Sequence, residues 1–241
     1  MVDLDKALKE AVQHFWKIRH SQQEQQGSKT GIKDAGNRSA VTGGKHADGF
    51  VKLLGKIVQE AGIPQAQIYI DNKRSLPSYY RPSKEWDIIV KVENDLIAVI
   101  EVKSHVGSFG NNFNNRVEEA LGSATDFWAA YREATFSPSA RPWLGYLIML
   151  EDHPNSTRPC KTKKLPHYPM REEFQGVSYA RRYEIFCERL VRERLYDAAC
   201  FLMSSAIGGL EGKYSEPNIE LSFRNLAASL SARSRAFAEM H

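Results

Sequence analysis

Cysteine is scarce in this chain: Cys160, Cys187 and Cys200 are the only three, and none forms a Cys-x-x-Cys pair. An odd count without that spacing argues against a disulfide framework and against zinc, and it fits a reducing cytoplasm. Long apolar runs are missing as well. No stretch approaches a membrane span, and Met1-Val2-Asp3-Leu4-Asp5 does not read as a signal peptide. The expectation is a cytoplasmic protein with no membrane partner. There is no internal repeat, and no pair among the seven histidines has helical metal-ligand spacing.

What is present is a 241-residue chain that is 42% hydrophobic, enough for a substantial core. Its net charge is +4 and its pI about 8.9, which favours anionic partners. The basic excess is local. Residues 158–194 hold ten Lys or Arg against five Glu, and such a patch is a stronger sign of nucleic acid than a global excess.

Periodicity outlines the elements. Leu4, Leu8, Ala11, Val12, Phe15 and Trp16 mark one face of an opening helix. A polar segment follows, Ser21 to Gly44, which reads either as a flexible loop or as a stretch that orders on DNA. A second helix is predicted from about Asp48 to Ala61, then a short strand at Ile68-Tyr69-Ile70 and a polar loop over 71–85. Two strands come next, then a helix from about Asn114 to Ala134 and a buried strand over 143–150. A basic, proline-rich loop spans 152–177. The last helices are predicted at 178–194 and 223–240. This order implies an α/β fold with a mixed central β-sheet flanked by helices.

The two middle strands carry the most information. Trp86-Asp87-Ile88-Ile89-Val90-Lys91-Val92 and Leu96-Ile97-Ala98-Val99-Ile100-Glu101-Val102-Lys103 are apolar runs with charge where buried strands tolerate it poorly. Strand alternation puts Glu101 and Lys103 on one face, about 7 Å apart, with Ile100 and Val102 on the other. A three-residue turn centred on Asn94 places Asp87 directly opposite Glu101, about 5 Å away. A two-residue turn at Asn94-Asp95 would instead set Asp87 against Val102 and break the patch apart. The first register is the one predicted. Two carboxylates suit a hard cation such as Mg²⁺, which keeps waters and leaves room for a phosphate. Lys103 can hold or deprotonate the attacking water. A Glu-x-Lys pair alone is common; the preceding Asp and the apolar strands are what make this one informative.

After the second strand comes Ser104-His105-Val106-Gly107-Ser108-Phe109-Gly110-Asn111-Asn112-Phe113-Asn114-Asn115-Arg116. Asparagines can read adenine edges or contact phosphates, and they are also favoured in caps and turns. His105 reads as a DNA contact or a support for the site. Lys161, Lys163 and Lys164 form either a phosphate clamp or a solvated loop. Trp128, Trp143, Tyr146 and Phe186 read as core.

These residues resemble a known family. Tyr80-Arg81-Pro82 through Trp86-Asp87, Glu101-Val102-Lys103-Ser104-His105-Val106-Gly107 and Phe109 through Ala120 are similar to the XhoI family of type II restriction endonucleases, of the PD-(D/E)xK nuclease fold. Val41-Thr42-Gly43-Gly44-Lys45-His46 with Asp48-Gly49-Phe50, and Ser178-Tyr179 with Arg182-Tyr183-Glu184, fit the same family. The resemblance covers roughly residues 5–190. Trp86 stands where the literal motif has Pro, which supplies no ligand.

The resemblance implies an Mg²⁺-dependent hydrolase of double-stranded DNA. It would cleave the palindrome 5′-CTCGAG-3′ after its first C, leaving 5′ overhangs and 5′-phosphate ends. It would act as a homodimer beside a cognate methyltransferase. Asp87, Glu101 and Lys103 are the implied catalytic residues. Asp87, Glu101, Val102 and, from the first helix of the fold, Glu60 are the candidate metal ligands, although an exposed Glu60 is the plainer reading. Candidate DNA contacts are Lys45, Arg81, His105, Asn111, Asn112, Asn114, Asn115, Arg116, Lys161, Lys163 and Lys164. The whole chain, 1–241, is expected to be one endonuclease domain, with a DNA-contacting segment near 21–46 and a helical part near 178–241. Two other readings stay open: a nuclease of the same fold acting on structured or repair-intermediate DNA, and a DNA-binding protein without catalysis.

Overall fold

The computed structural model describes residues 3–30, 45–161 and 164–240. Residues 31–44 of the polar segment, and Lys163 of the lysine cluster, lie outside the described residues.

Helix α1 (Leu4–Thr30) and helix α2 (Asp48–Glu60) open the chain and pack together. Leu8, Val12, Phe15 and Trp16 of α1 meet Phe50, Leu54 and Val58 of α2. Gly49 makes the approach possible: a Cβ there would lie 3.1 Å from the Ala11 backbone. Strand β1 (Ile68–Tyr69) follows. The stretch 71–85 is not the plain loop that its polarity predicts. It folds into a ribbon of β2 (Ser75–Pro77) and β3 (Ser83–Glu85). Strands β4 (Ile88–Val92) and β5 (Asp95–His105) come next, then α3 (Phe109–Arg132), β6 (Trp143–Glu151) and the short α4 (Pro154–Thr157). The chain ends with α5 (Tyr179–Arg192), β7 (Ala198–Ser204), the short α6 (Ala206–Leu210) and α7 (Phe223–Met240).

The main sheet has the order β1-β4-β5-β6-β7, antiparallel over β1, β4 and β5 and parallel over β5, β6 and β7. It is therefore mixed, as the pattern predicts, with one more strand than the pattern shows. Ala198-Ala199-Cys200-Phe201-Leu202-Met203-Ser204 is buried throughout. A parallel strand covered on both faces shows no alternation, so periodicity gives no signal for it.

Helices cover both faces. Ile88, Val90, Ala98, Ile100 and Val102 meet α1, α2 and α7. Ile89, Val99, Leu144, Tyr146 and Ile148 meet α3 and α5. Trp128, Trp143, Tyr146 and Phe186 are all buried, as their spacing predicts.

The β4–β5 hairpin reaches its register by a route that the sequence does not show. The turn is two residues, Glu93 and Asn94, between paired Val92 and Asp95, with Glu93 in the left-handed region at φ 49°. Carried along the strands, that turn would set Asp87 against Ile100 and point it away from Glu101. A β-bulge intervenes between the pairs Lys91↔Leu96 and Val90↔Ala98, leaving Ile97 as the extra residue. Beyond it the pairs are Ile89↔Val99 and Ile88↔Ile100. Asp87 therefore comes opposite Glu101, as expected, but through a shorter turn plus a bulge.

Candidate active site

Asp87 sits one residue before β4. Its N–H donates to the Ile100 carbonyl at 3.2 Å, and its Oδ2 accepts from the Val102 N–H at 2.7 Å. The first bond extends the strand pairing by one residue and the second pins the carboxylate. Glu101 lies in the middle of β5, 4% exposed. Its Oε1 pairs with the Lys103 ammonium, two residues along the same face. Its Oε2 accepts from Lys84 Nζ at 2.9 Å. The ribbon thus brings a second lysine to the same carboxylate.

The electrostatics follow from burial and charge. Burial raises the Asp87 carboxyl above the ordinary range, and neighbouring Glu101 raises it further. Burial also works against a charged Glu101, but Lys103 and Lys84 outweigh it and hold that carboxyl below the ordinary range. Lys103 is raised: burial opposes its charge, and the paired Glu101 and nearby Asp87 prevail. Without an ion, the site is two carboxylates of opposite disposition and a firmly held ammonium.

Among the described residues no group of three His, Cys, Asp or Glu side chains could hold a metal. Two carboxylates do converge here, and their hard oxygens fit an ion that retains several waters. Val102 meets the site through its main-chain N–H, which holds the Asp87 carboxylate, while its side chain lies in the opposite core. Glu60 does not join them, and this corrects its place in the ligand set. It is exposed at the end of α2, which packs on the other face of the sheet.

The wall facing Glu101 is α3. The helix starts at Phe109, five residues earlier than predicted, after Gly107 and Ser108 both adopt positive φ. The asparagine cluster is therefore helical and not a turn. Asn111, Asn114 and Asn115 are exposed on the first two turns and Asn112 is half-buried. Arg116 pairs with Glu119 at 2.6 Å and lines the cleft. That cleft, of about 710 Å³, runs from Glu101, Lys103 and Lys84 past Arg116 to Arg81 and Tyr80.

His105 is not available to DNA, which corrects its assignment as a direct contact. It is 3% exposed, with Nδ1 2.6 Å from the Tyr183 hydroxyl. Burial, and then Arg116, lower its pKa to about 4. Lys45 is exposed at the turn before α2, and Lys161 and Lys164 are exposed in the loop before α5. None of these three is among the described residues that line the cleft.

Asp126, like Lys84, is a residue that sequence reasoning missed. It is 4% exposed and accepts from the Tyr79 N–H at 2.8 Å, the Tyr80 N–H at 3.0 Å and Arg81 Nε at 2.7 Å. One carboxylate on α3 thereby fixes the ribbon tip over the cleft and aims Arg81. Its distance in sequence from the tip, 45 residues or more, leaves no local signal. Asp126→Ala is expected to lose about 1–3 kcal/mol, since two main-chain donors and a guanidinium lose their acceptor. Urea denaturation measures this, and an unchanged midpoint would show that the tip holds without it.

Comparisons with known proteins give the family. A family model, Restriction endonuclease XhoI, matches residues 24–216. The type II restriction enzyme BstVI of Geobacillus stearothermophilus is 52% identical over 195 residues, covering 78% of this chain and 87% of that protein. The type II restriction enzyme XhoI of Xanthomonas vasicola is 40% identical over 194 residues, covering 79% and 77%. The type II restriction enzyme AbrI of Azospirillum brasilense is 41% identical over 172 residues, covering 70% and 75%. No solved structure gives a significant match. No helix among the described residues is long and apolar enough to cross a membrane.

Proposed function

The chain belongs to the XhoI restriction endonuclease family and is a type II site-specific deoxyribonuclease acting on DNA, and from that premise we propose that it hydrolyses the palindrome 5′-CTCGAG-3′ with Mg²⁺, through Asp87, Glu101 and Lys103. The observation that carries the residue assignment is the meeting of these three side chains on one sheet face, at the mouth of a cleft walled by α3 and the ribbon.

Asp87 and Glu101 would hold the ion, with main-chain help from Val102. A bound Mg²⁺ supplies charge to a phosphoryl oxygen and lowers the pKa of a water. The rest falls to the chain. Lys103 orients the attacking water and offsets the charge that develops on the phosphate. Arg81, anchored by Asp126, and Arg116 contact phosphates along the cleft. Asn111, Asn114 and Asn115 are placed to reach bases or backbone from the start of α3.

Two subunits related by a two-fold axis match a palindrome and cut both strands. The proposed form is a homodimer of single-domain chains, with the cut after the first C and 5′-phosphate overhangs. A cognate methyltransferase would protect the host sites without touching this protein.

The test is digestion of two plasmids, with and without one CTCGAG, in Mg²⁺ and in EDTA, with sequencing of the ends. One Mg²⁺-dependent cut within the site is the expected result. Cutting at a different short palindrome would refute the proposed target and keep the mechanism. Cutting of branched DNA alone would refute both.

A further inference from the structure

Lys84 stands where neither strand of the catalytic hairpin would put a cation. It projects from β3, a strand of the separate ribbon, and its side chain is only 11% exposed. Its ammonium lies 4.1 Å from the centre of the Trp86 ring and 2.9 Å from Glu101 Oε2. The aromatic face and the carboxylate hold it from two sides. Lys103 occupies the other oxygen of the same carboxylate. Each Glu101 oxygen thus carries one ammonium. An ion that takes a Glu101 oxygen competes with the ammonium there, because two cations on one carboxylate oxygen repel each other.

The two lysines differ in what releasing Glu101 requires. Lys103 stands on the same central strand as Glu101, two residues along, so the backbone keeps the two together. Lys84 belongs to a two-stranded ribbon whose strands pair with each other and with neither β4 nor β5. It also faces the same cleft as Arg81 and Arg116, along which a DNA strand would lie.

We propose that Lys84 is a second lysine of the active site, which occupies Glu101 until the metal arrives and then passes to a phosphate of the bound DNA. This rests on the reading of Asp87 and Glu101 as the metal-holding pair. In the free protein Lys84 adds a second counter-charge to a buried carboxylate that Lys103 alone would otherwise balance beside Asp87. In the loaded protein the same ammonium, released at the cleft wall, adds positive charge beside the phosphodiester.

The test compares wild type with Lys84→Met, which keeps a long apolar chain over Trp86, and with Lys84→Arg, which keeps the charge. Calorimetric titration with Ca²⁺, without DNA, reads the competition. Lys84→Met is expected to bind Ca²⁺ on the order of tenfold more tightly, the worth of one charge-assisted hydrogen bond, while Lys84→Arg stays near wild type. Single-turnover cutting by Lys84→Met at saturating Mg²⁺ is expected to fall about tenfold or more. Equal or weaker Ca²⁺ binding by a folded Lys84→Met would overturn the proposal, and so would tighter binding with full-rate cutting. If instead wild type and Glu101→Gln titrate alike, the metal-holding pair itself is wrong, and the two failures are told apart.

Discussion

Lys103→Ala should fold, bind its target duplex in Ca²⁺ with an affinity close to wild type, and no longer cut. The expected fall is at least about a thousandfold in single-turnover cleavage, the combined scale of losing a positioned proton-handling group and a charge donor at the phosphate. Folding should survive for a reason visible in the site. Glu101 keeps Lys84 on its other oxygen, so the buried carboxylate is not orphaned when Lys103 goes. The Lys103 side chain is a quarter exposed and carries little of the core. Gel-resolved cleavage measures the chemistry, and fluorescence anisotropy of a labelled duplex measures binding. Loss of binding alongside loss of cutting would show that Lys103 serves the complex and not the chemical step.

Asp87→Asn should also abolish cutting, by about a hundredfold or more, and yet stabilise the metal-free protein at neutral pH. The sign follows from the raised carboxyl. Burial and Glu101 make the folded state hold the Asp87 proton more tightly than the unfolded chain does. The protonated form therefore stabilises the fold at low pH, and this contribution is lost as pH rises through the raised value. At neutral pH the ionised carboxylate opposes folding, and the neutral amide removes that opposition while its oxygen can still accept from the Val102 N–H. A rise in Tm of a few degrees is expected in EDTA, roughly 1 kcal/mol for a chain of this size. It should shrink as the pH approaches 4. In millimolar Ca²⁺ the order should reverse, because only wild type gains stability from the ion. A metal-dependent rise in Tm that persists in Asp87→Asn would remove Asp87 from the ligand pair.

Much of this site was legible in the residues because its three central groups are local. Asp87, Glu101 and Lys103 lie within one hairpin, where strand alternation and one turn decide which side chains meet. The turn was misread, since a bulge at Ile97 follows no composition rule, and a shorter turn plus one extra residue gives the same pairing. The cleft wall was not legible. Lys84 and Asp126 reach the site across a ribbon and a helix, and a lone Lys in Ser-Lys-Glu or a lone Asp in a helix carries no local mark. His105 failed for a related reason: nothing in its own segment signals burial, but Tyr183 and Phe109 close over it from other elements. Glu60 failed as a ligand because the sheet lies between α2 and the face that carries Asp87 and Glu101.

The bulge at Ile97 separates the hairpin into two parts with different histories open to them. From Ile97 inward, the pairing of β5 with both β4 and β6 fixes which face each residue takes, so one inserted or deleted residue would turn Glu101 and Lys103 from the cleft into the opposite core. From Lys91 outward, the strands pair only with each other, Ser139 meets the Leu96 main chain, and the tip at Glu93 and Asn94 closes the turn. Drift in length can accumulate there without disturbing the chemistry. The spacing between Asp and Glu is then a poor ruler for comparing such hairpins, and the face that each residue takes relative to β6 is the better one.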